Sequence, residues 1–240
     1  MAATKILVVE DEAIVAESLR IKLKKMGYIV ISTASSGDEA IKKTEEYLPD
    51  MVLMDIVLQG EMDGIEAAGQ IRTNFNIPVI YLTAYSDEKT LLRAKITEPF
   101  GYIIKPFKER ELQVAIEISL FKYDMERKLK ERNEWFNVTL NSISDGVIAT
   151  DSKGCVLFMN TIAQSMTGWE LDLAEGKPLK EVLNIVTEKI GKVNETLLLS
   201  PLGTRIPIDI STNSIKDEKG NVLGVAMVCR SQKQAPIPRQ

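Results

Sequence analysis

The feature that most constrains the fold of this chain is a regular alternation in its first half. Five short apolar runs, each suited to a strand buried on both faces, alternate with stretches whose apolar residues recur at helical spacing. The runs are residues 5–9, 28–33, 51–54, 78–82 and 102–104. Strands that alternate with helices predict a parallel sheet with helices on both faces. Because crossover connections are right-handed, the flavodoxin-like strand order 2-1-3-4-5 is favoured for this α/β domain.

The predicted helices lie between these strands. They cover residues 13–26, 37–47, 64–73 and 86–96, and a fifth begins near Lys108. Gly27 ends the first helix, Ser36 or Asp38 opens the second, and Ser86 or Asp87 caps the fourth. The first half therefore contains five strand–helix units.

Polar side chains stand at the end of four predicted strands. Glu10 and Asp11 follow the first, Asp55 the third, Thr83 the fourth and Lys105 the fifth. The carboxyl ends of parallel strands share one edge, where ligands bind. Three carboxylates there repel one another without a cation, and their oxygens suit Mg²⁺. Alone, Asp55 would be interpreted as a capping or turn residue. With a lysine and a hydroxyl nearby, it is better interpreted as a nucleophile that becomes an aspartyl phosphate.

Residues 4–121, which contain these side chains, closely resemble the receiver domain of two-component response regulators. The resemblance implies that Glu10 and Asp11 form the acidic pair of the family and that Asp55 is the phosphoacceptor. It also implies that Thr83 is the switch hydroxyl and Lys105 the lysine of the site, so that Asp55, Thr83 and Lys105 carry the chemistry.

The resemblance implies further positions. Tyr102 falls at the switch aromatic, and Pro106 would follow a cis peptide bond. Mg²⁺ would be held by the side chains of Glu10, Asp11 and Asp55 and by the backbone carbonyl of Val57. The family more often has Asp at position 10, so we expect the longer Glu10 to act through a water molecule.

Helical periodicity continues beyond the sheet. A seam recurs every three or four residues at Phe121, Met125, Leu129, Arg132, Phe136, Leu140 and Ile143, and Arg132 alone interrupts its apolar character. One interpretation is a long helix that pairs with a copy of itself. The other is an ordinary amphipathic helix that folds back on its own domain. We expect a receiver at 1–121, a helical linker at 122–136, a third region at 137–232 and a tail at 233–240.

The third region has the pattern of an α+β domain. Five strands are predicted at 147–150, 155–159, 196–200, 206–211 and 222–228, with short helical turns at 160–166, 171–174 and 179–186. Residues 133–232 resemble a PAS domain with a five-stranded antiparallel sheet. The resemblance is carried by Ser144–Val147, Asp151 to Gly154, Asn160 with Thr167–Trp169, and the Asp217–Gly220 turn. The stretch between Val186 and Thr196 is shorter than in the family, so we expect the helix that walls the ligand pocket to be reduced.

Composition excludes several classes of protein. The chain has no histidine, so it contains no phosphohistidine kinase or phosphotransfer domain and lacks the commonest zinc and haem ligand. Its cysteines, Cys155 and Cys229, form no CxxC pair and are interpreted as core residues in a reduced, cytoplasmic protein. Residues 1–121 carry 14 basic and 19 acidic side chains, and residues 122–240 carry 16 and 15. We therefore expect no nucleic-acid partner. No signal peptide or apolar membrane span is present in the sequence.

The two resemblances together imply a response regulator that is not a stand-alone enzyme. It would take a phosphoryl group from a sensor histidine kinase onto Asp55, react weakly with small phosphodonors, and lose the group to water. A receiver followed by a PAS domain resembles regulators of methanogenic archaea that signal by protein contact. We expect a homodimer through the receiver face, the linker helix or the PAS domain, and contacts with other response regulators. Two alternatives are a fragment or relative of a hybrid sensor kinase and a DNA-binding transcriptional regulator. The missing histidine argues against the first, and the near-neutral second half argues against the second.

Overall fold

The computed structural model describes residues 3–84, 93, 97, 99–190, 193–199, 203 and 205–232. The chain divides into two compact units, Met1–Leu129 and Lys130–Gln240. Each unit has its own sheet and its own hydrophobic core.

The first unit contains a five-stranded parallel sheet. Its strands are Lys5–Val9 (β1), Ile29–Ala34 (β2), Met51–Asp55 (β3), Val79–Ala84 (β4) and Gly101–Lys105 (β5). Their order is β2-β1-β3-β4-β5, and every neighbouring pair is parallel, so the predicted flavodoxin-like topology is confirmed.

Helices cover both faces of this sheet. They are Ala13–Lys25 (α1), Gly37–Tyr47 (α2), Gly64–Phe75 (α3) and Glu109–Asn141 (α4). The helix expected over residues 86–96 falls on residues that, apart from Arg93, lie outside the described ranges. The last helix extends past the predicted linker boundary at residue 136 and ends at Asn141.

Burial on both faces explains why β1 and β3 are apolar throughout. Leu7 and Met54 point into a cluster with α2 and α3, whereas Val8 and Leu53 point into a cluster with α1 and α4. All four side chains are fully buried. Because successive side chains of a strand alternate between faces, two helical layers require an uninterrupted apolar run.

The second unit contains an antiparallel sheet preceded by the end of α4. Its elements are Gly146–Asp151 (β6), Val156–Met159 (β7), Thr161–Thr167 (α5), Leu171–Ala174 (α6), Leu179–Val182 (α7), Ile185–Ile190 (β8), Val193–Leu199 (β9), Arg205–Lys216 (β10) and Val222–Ser231 (β11). The strand order is β7-β6-β11-β10-β9-β8.

The predicted strand number of this sheet needs one correction, because six strands rather than five occur in the described part. We expected helical turns over 179–186, but α7 ends at Val182 and β8 begins at Ile185. The β-branched run Ile185–Thr187 favours a strand, and β8 pairs with β9 from Ile185–Leu198 to Ile190–Val193. A strand therefore stands where we expected a reduced pocket-wall helix.

Asn160 holds the beginning of this unit together. Its side chain is fully buried and caps α5 by accepting a hydrogen bond from the backbone N–H of Ala163 at 2.9 Å. The same oxygen accepts from the N–H of Val147 at 2.9 Å. The amide nitrogen donates to the carbonyl of Leu140 at 3.1 Å and to that of Asp145 at 2.9 Å. One side chain thus provides hydrogen-bond partners for backbone groups at the end of α4, just before and within β6, and at the start of α5.

We predict that Asn160→Asp destabilises the second unit by roughly 2 kcal/mol, because a buried carboxylate keeps both accepted bonds but loses the two bonds donated to the carbonyls of Leu140 and Asp145. Thermal unfolding followed by tryptophan fluorescence measures this, since Trp135 and Trp169 both belong to the second unit. Asn141→Asp is the matched control, because Asn141 is exposed and only accepts, from the N–H of Thr161. Equal unfolding temperatures for the two variants would contradict the role assigned to Asn160.

Candidate functional site

Asp55 ends the central strand β3 and is nearly buried, with 7% of its surface exposed. One carboxylate oxygen accepts a hydrogen bond from the backbone N–H of Val57 at 3.2 Å, and the other contacts the Lys105 ammonium at 2.6 Å. The carboxylate is therefore held between a backbone donor and a cation. Its position at the carboxyl end of a parallel strand is where such folds bind ligands.

Gly64 lets α3 begin directly against this strand end. A Cβ atom at Gly64 would lie 1.8 Å from the backbone oxygen of Asp55, which no side chain can accommodate. The preceding residue, Asp63, caps α3 by accepting from the N–H groups of Ile65 and Glu66. The sequence analysis predicted a helix from residue 64 but not this packing, which only the close approach of the two backbones reveals.

Two further carboxylates lie beside that of Asp55. Oxygen atoms of Glu10, Asp11 and Asp55 all lie within 4.8 Å of one another. Among the described residues, no hydrogen-bond partner is present for the buried Oε1 atom of Glu10. Burial raises the pKa of Glu10, with Lys105 opposing the shift and the charge of Asp55 adding to it. An unpartnered oxygen within a cluster of carboxylates fits a divalent cation such as Mg²⁺.

Lys105, at the end of β5, joins this cluster. Its ammonium lies 2.5 Å from Glu10 Oε2 and 2.6 Å from Asp55 Oδ2. Although burial opposes it, the hydrogen bonds to Asp55 and Glu10 raise the pKa of Lys105, so the side chain carries a positive charge. The peptide bond from Lys105 to Pro106 is cis, as the resemblance implied.

Thr83 stands near the end of β4, the strand between β3 and β5. The residue before it, Leu82, is paired with Asp55, and Thr83 itself is paired with Ile104. Its side chain is buried, and the hydroxyl donates to the carbonyl of Ala84 at 3.0 Å. Thr83 therefore belongs to the same strand edge as Asp55 and Lys105.

Tyr102 lies on β5 opposite Tyr81 of β4. Its hydroxyl is buried and, within the described part of the chain, has no hydrogen-bond partner. Its ring centroid is 5.7 Å from that of Tyr81, whose hydroxyl is 2.7 Å from that of Thr97. Burial raises the pKa of Tyr81 to about 12. Tyr81 was predicted only as part of a strand, because its polar partner cannot be identified from spacing.

The remaining predicted residues also have clear positions. Val57, whose carbonyl we expected to bind metal, has a side chain that is 71% exposed beside Asp55. Cys229 is buried, which raises the pKa of its thiol to about 11, and Cys155 is half-buried. Trp169 packs against the core of the second unit.

Among the described residues, no helix has the length and apolar character of a membrane span.

Comparison with known families matches both halves of the chain. The model of the response regulator receiver domain matches residues 6–117, and that of the PAS fold matches residues 135–231. Among solved structures, the signal receiver domain of a modulated diguanylate cyclase from Desulfovibrio desulfuricans G20 is 37% identical with a TM-score of 0.50. That similarity covers 52% of this chain and 98% of the other.

Curated proteins show the same relationship. The transcriptional regulatory protein PdtaR of Mycobacterium tuberculosis is 34% identical over 119 residues, covering 50% of this chain and 58% of PdtaR. The transcriptional regulatory protein ResD of Bacillus subtilis is 40% identical over 117 residues, covering 49% of this chain and 48% of ResD. The chain thus spans about half the length of these relatives. A probable transcriptional regulator, ycf27 of Porphyridium aerugineum, is 31% identical over 175 residues, covering 73% of this chain and 70% of that protein. The chain therefore belongs to the response regulators, with a receiver domain followed by a domain of the PAS fold.

Proposed function

We propose that this response regulator accepts a phosphoryl group on Asp55 from a phosphohistidine of a sensor kinase. The observation that carries the proposal is the buried Asp55 carboxylate held by Lys105 beside two further carboxylates. A carboxylate oxygen of Asp55 would form a bond to phosphorus as the bond between phosphorus and the kinase's imidazole nitrogen breaks. Water would later cleave the aspartyl phosphate and return the carboxylate.

We assign the residues of the site as follows. Glu10, Asp11 and Asp55, with the carbonyl of Val57, would hold Mg²⁺, which when bound neutralises negative charge on the transferring phosphoryl group. Lys105 supplies a positive charge next to the nucleophile and is positioned to pair with a phosphoryl oxygen. The Thr83 hydroxyl is a donor that can turn from the Ala84 carbonyl toward a phosphoryl oxygen.

We propose that Tyr102 transmits the conformational change caused by phosphorylation of Asp55 to helix α4. The Tyr102 hydroxyl is buried and has no hydrogen-bond partner among the described residues, so a new polar neighbour would change the free energy of this buried group. Two residues before it, the carbonyl of Phe100 accepts a hydrogen bond at 3.1 Å from the buried hydroxyl of Ser119 on α4. A rearrangement of Thr83 and Tyr102 would therefore occur next to the hydrogen bond between Ser119 and Phe100, which holds α4 on the sheet.

Output is proposed to occur by protein contact through the receiver and PAS domains, in the cytoplasm. The net charge of −4 supports this, and neither half has the large basic excess expected of a nucleic-acid-binding domain. So does the resemblance to archaeal receiver–PAS regulators. The partners would be the sensor kinase, a second copy of the chain and other response regulators. We retain the division into receiver, helical linker, PAS domain and tail as part of this proposal.

Transcriptional regulation is the second candidate, because the relatives PdtaR, ResD and ycf27 carry that description in their names. The alignments with PdtaR and ResD cover about half of this chain, so these two relatives support the candidate over that part of the chain alone. A relative of a hybrid sensor kinase is less well supported, since the chain contains no histidine.

The phosphoacceptor is tested with acetyl phosphate and Mg²⁺, followed by intact-mass measurement. We expect one phosphoryl group on the wild-type chain and none on Asp55→Asn, because the amide is not a nucleophile. Asp63→Asn, in the adjacent loop, is the matched control and should be phosphorylated normally, since asparagine also caps helices well. Persistent acid-stable or aspartyl phosphate on the Asp55→Asn chain would disprove the assignment.

Metal binding is tested by titrating Mg²⁺ calorimetrically. Asp11→Ala should weaken binding by at least ~10-fold, and Glu10→Ala by less, because one oxygen of Glu10 already contacts Lys105. Glu61→Ala removes an exposed carboxylate from the neighbouring loop and should leave the affinity unchanged. A larger loss for Glu10→Ala than for Asp11→Ala would show that Glu10 ligates the ion directly.

Output by protein contact predicts that the phosphorylated chain binds promoter DNA no more tightly than random DNA at physiological salt. Without a stripe of basic residues, few phosphate contacts can form. Gel-shift and footprinting assays measure this. A discrete footprint that depends on Asp55 would instead support the transcriptional alternative.

A further inference from the structure

Charged and aromatic side chains surround Phe100 at the amino-terminal edge of the receiver sheet, opposite the edge that carries Asp55. Phe100 lies directly before β5 and is only 7% exposed. Its ring centroid is 4.7 Å from the guanidinium carbon of Arg72 and 5.2 Å from the ammonium of Lys122. The ring of Tyr123 meets it edge-on, with the two centroids 5.6 Å apart. Because this ring is nearly buried, its contacts with the cations are stronger than they would be on an open surface.

These contacts join two helices that otherwise cover opposite faces of the sheet. Arg72 belongs to α3, which packs into one hydrophobic cluster of the receiver, and Lys122 belongs to α4, which packs into the other. Glu126, one turn after Lys122, lies 3.8 Å from Arg72 and 3.8 Å from Lys122. The two helices can meet because α4, with 33 residues, continues past the edge of the sheet. We call Arg72, Phe100, Lys122, Tyr123 and Glu126 the Phe100 cluster.

The Phe100 cluster lies at the point where α4 leaves the receiver. The last buried residue of the helix is Ser119, whose hydroxyl donates to the carbonyl of Phe100, and every residue from 125 to 139 is exposed. The turn between them, residues 122–126, therefore depends on side chains that reach it from α3 and from the loop before β5. Tyr123 also lines an open groove of about 440 Å³, so the turn is not packed on every side.

We propose that the Phe100 cluster is a latch that holds residues 122–126 of α4 against α3 and opens when Asp55 carries a phosphoryl group. The inference rests on the proposed phosphorylation of Asp55. In the structure the latch is closed, and Thr83 donates to the carbonyl of Ala84. Each cation–ring contact is modest even when it is partly shielded from water, so phosphorylation has only a small free energy to overcome. Because such coupling is reciprocal, any change that weakens the latch favours the phosphorylated state.

Tyr102 connects the latch with the site. It lies two residues after Phe100 and packs in the same hydrophobic cluster as Ile71, the residue before Arg72 on α3. When Tyr102 turns together with Thr83, the last turns of α3 lose a packing contact and the backbone next to Phe100 is displaced. Cations attract a ring only within about 6 Å of its centroid, so a displacement at either support weakens the contacts. Phosphorylation is therefore expected to open the latch rather than tighten it.

Beryllofluoride, which binds an aspartate carboxylate as a non-covalent phosphoryl mimic, tests the reciprocal effect at equilibrium in the presence of Mg²⁺. Phe100→Leu removes both cation contacts and should tighten beryllofluoride binding at least ~5-fold, and Lys122→Gln, at an exposed position, should tighten it ~2-fold. Lys122→Arg keeps the cation and should bind as the wild-type chain does. Lys130→Gln removes an exposed cation about two turns further along α4 and is the matched control. Unchanged or weaker binding by both Phe100→Leu and Lys122→Gln would overturn the inference.

Fluorine NMR of the full chain labelled with 4-fluorophenylalanine observes the latch directly. The chain has six phenylalanines, and the resonance missing from Phe100→Leu belongs to Phe100. Acetyl phosphate with Mg²⁺ should move this resonance toward its position in an Arg72→Gln, Lys122→Gln double variant, and should not move it in Asp55→Asn. A Phe100 resonance that stays in place while intact mass shows one phosphoryl group per chain would overturn the latch and leave the proposed function standing. Absence of the phosphoryl group from the wild-type chain would contradict the proposed function, and the latch with it.

Discussion

The site depends on one partly buried cation, the Lys105 ammonium, which contacts Glu10 and Asp55 together. Without it, carboxylates within 4.8 Å of one another would repel strongly in a poorly solvated place. The contact between Lys105 and Asp55 has to cross one intervening strand, because β4 lies between β5 and β3. The ends of β5 and β3 lie about 10 Å apart, two strand spacings. The long side chain of Lys105 and the shorter one of Asp55 bridge this distance together, with 2.6 Å between the ammonium and the carboxylate. The intervening strand, β4, ends in the small residues Thr83 and Ala84.

The same geometry connects fold and chemistry. Glu10 and Asp55 are brought together by adjacent strands, whereas Lys105 arrives 50 residues after Asp55 in the chain. The site therefore exists only when the parallel sheet is complete. Gly64 adds a steric condition, since the helix that follows β3 packs directly on the backbone of Asp55. Asp55 and Lys105 thus lie at one fixed sheet edge, while Thr83 and Tyr102, the residues proposed to move on phosphorylation, lie on β4 and β5.

The first unit could be predicted from sequence because its determinants are local. Runs such as Met51–Met54 are apolar at every position, and polar residues follow each strand, so strand order and site residues could be inferred together. The second unit was less predictable. Its strand Ile185–Ile190 follows a short helix without a glycine or proline between them, and its identity depends on pairing with Val193–Leu199. The bonds of Asn160 and the packing of Tyr81 on Tyr102 join residues distant in sequence, and such contacts leave no periodic signal.

The four hydrogen bonds of Asn160 also decide where the PAS domain can be separated from the rest of the chain. Two of its acceptors, the carbonyls of Leu140 and Asp145, precede the first strand of the sheet. A fragment that starts after Leu140 would leave a buried amide N–H without its acceptor, which reduces stability by about 1–3 kcal/mol. The last turn of α4 therefore contributes to the stability of the PAS domain. The smallest autonomous version of that domain has to include it.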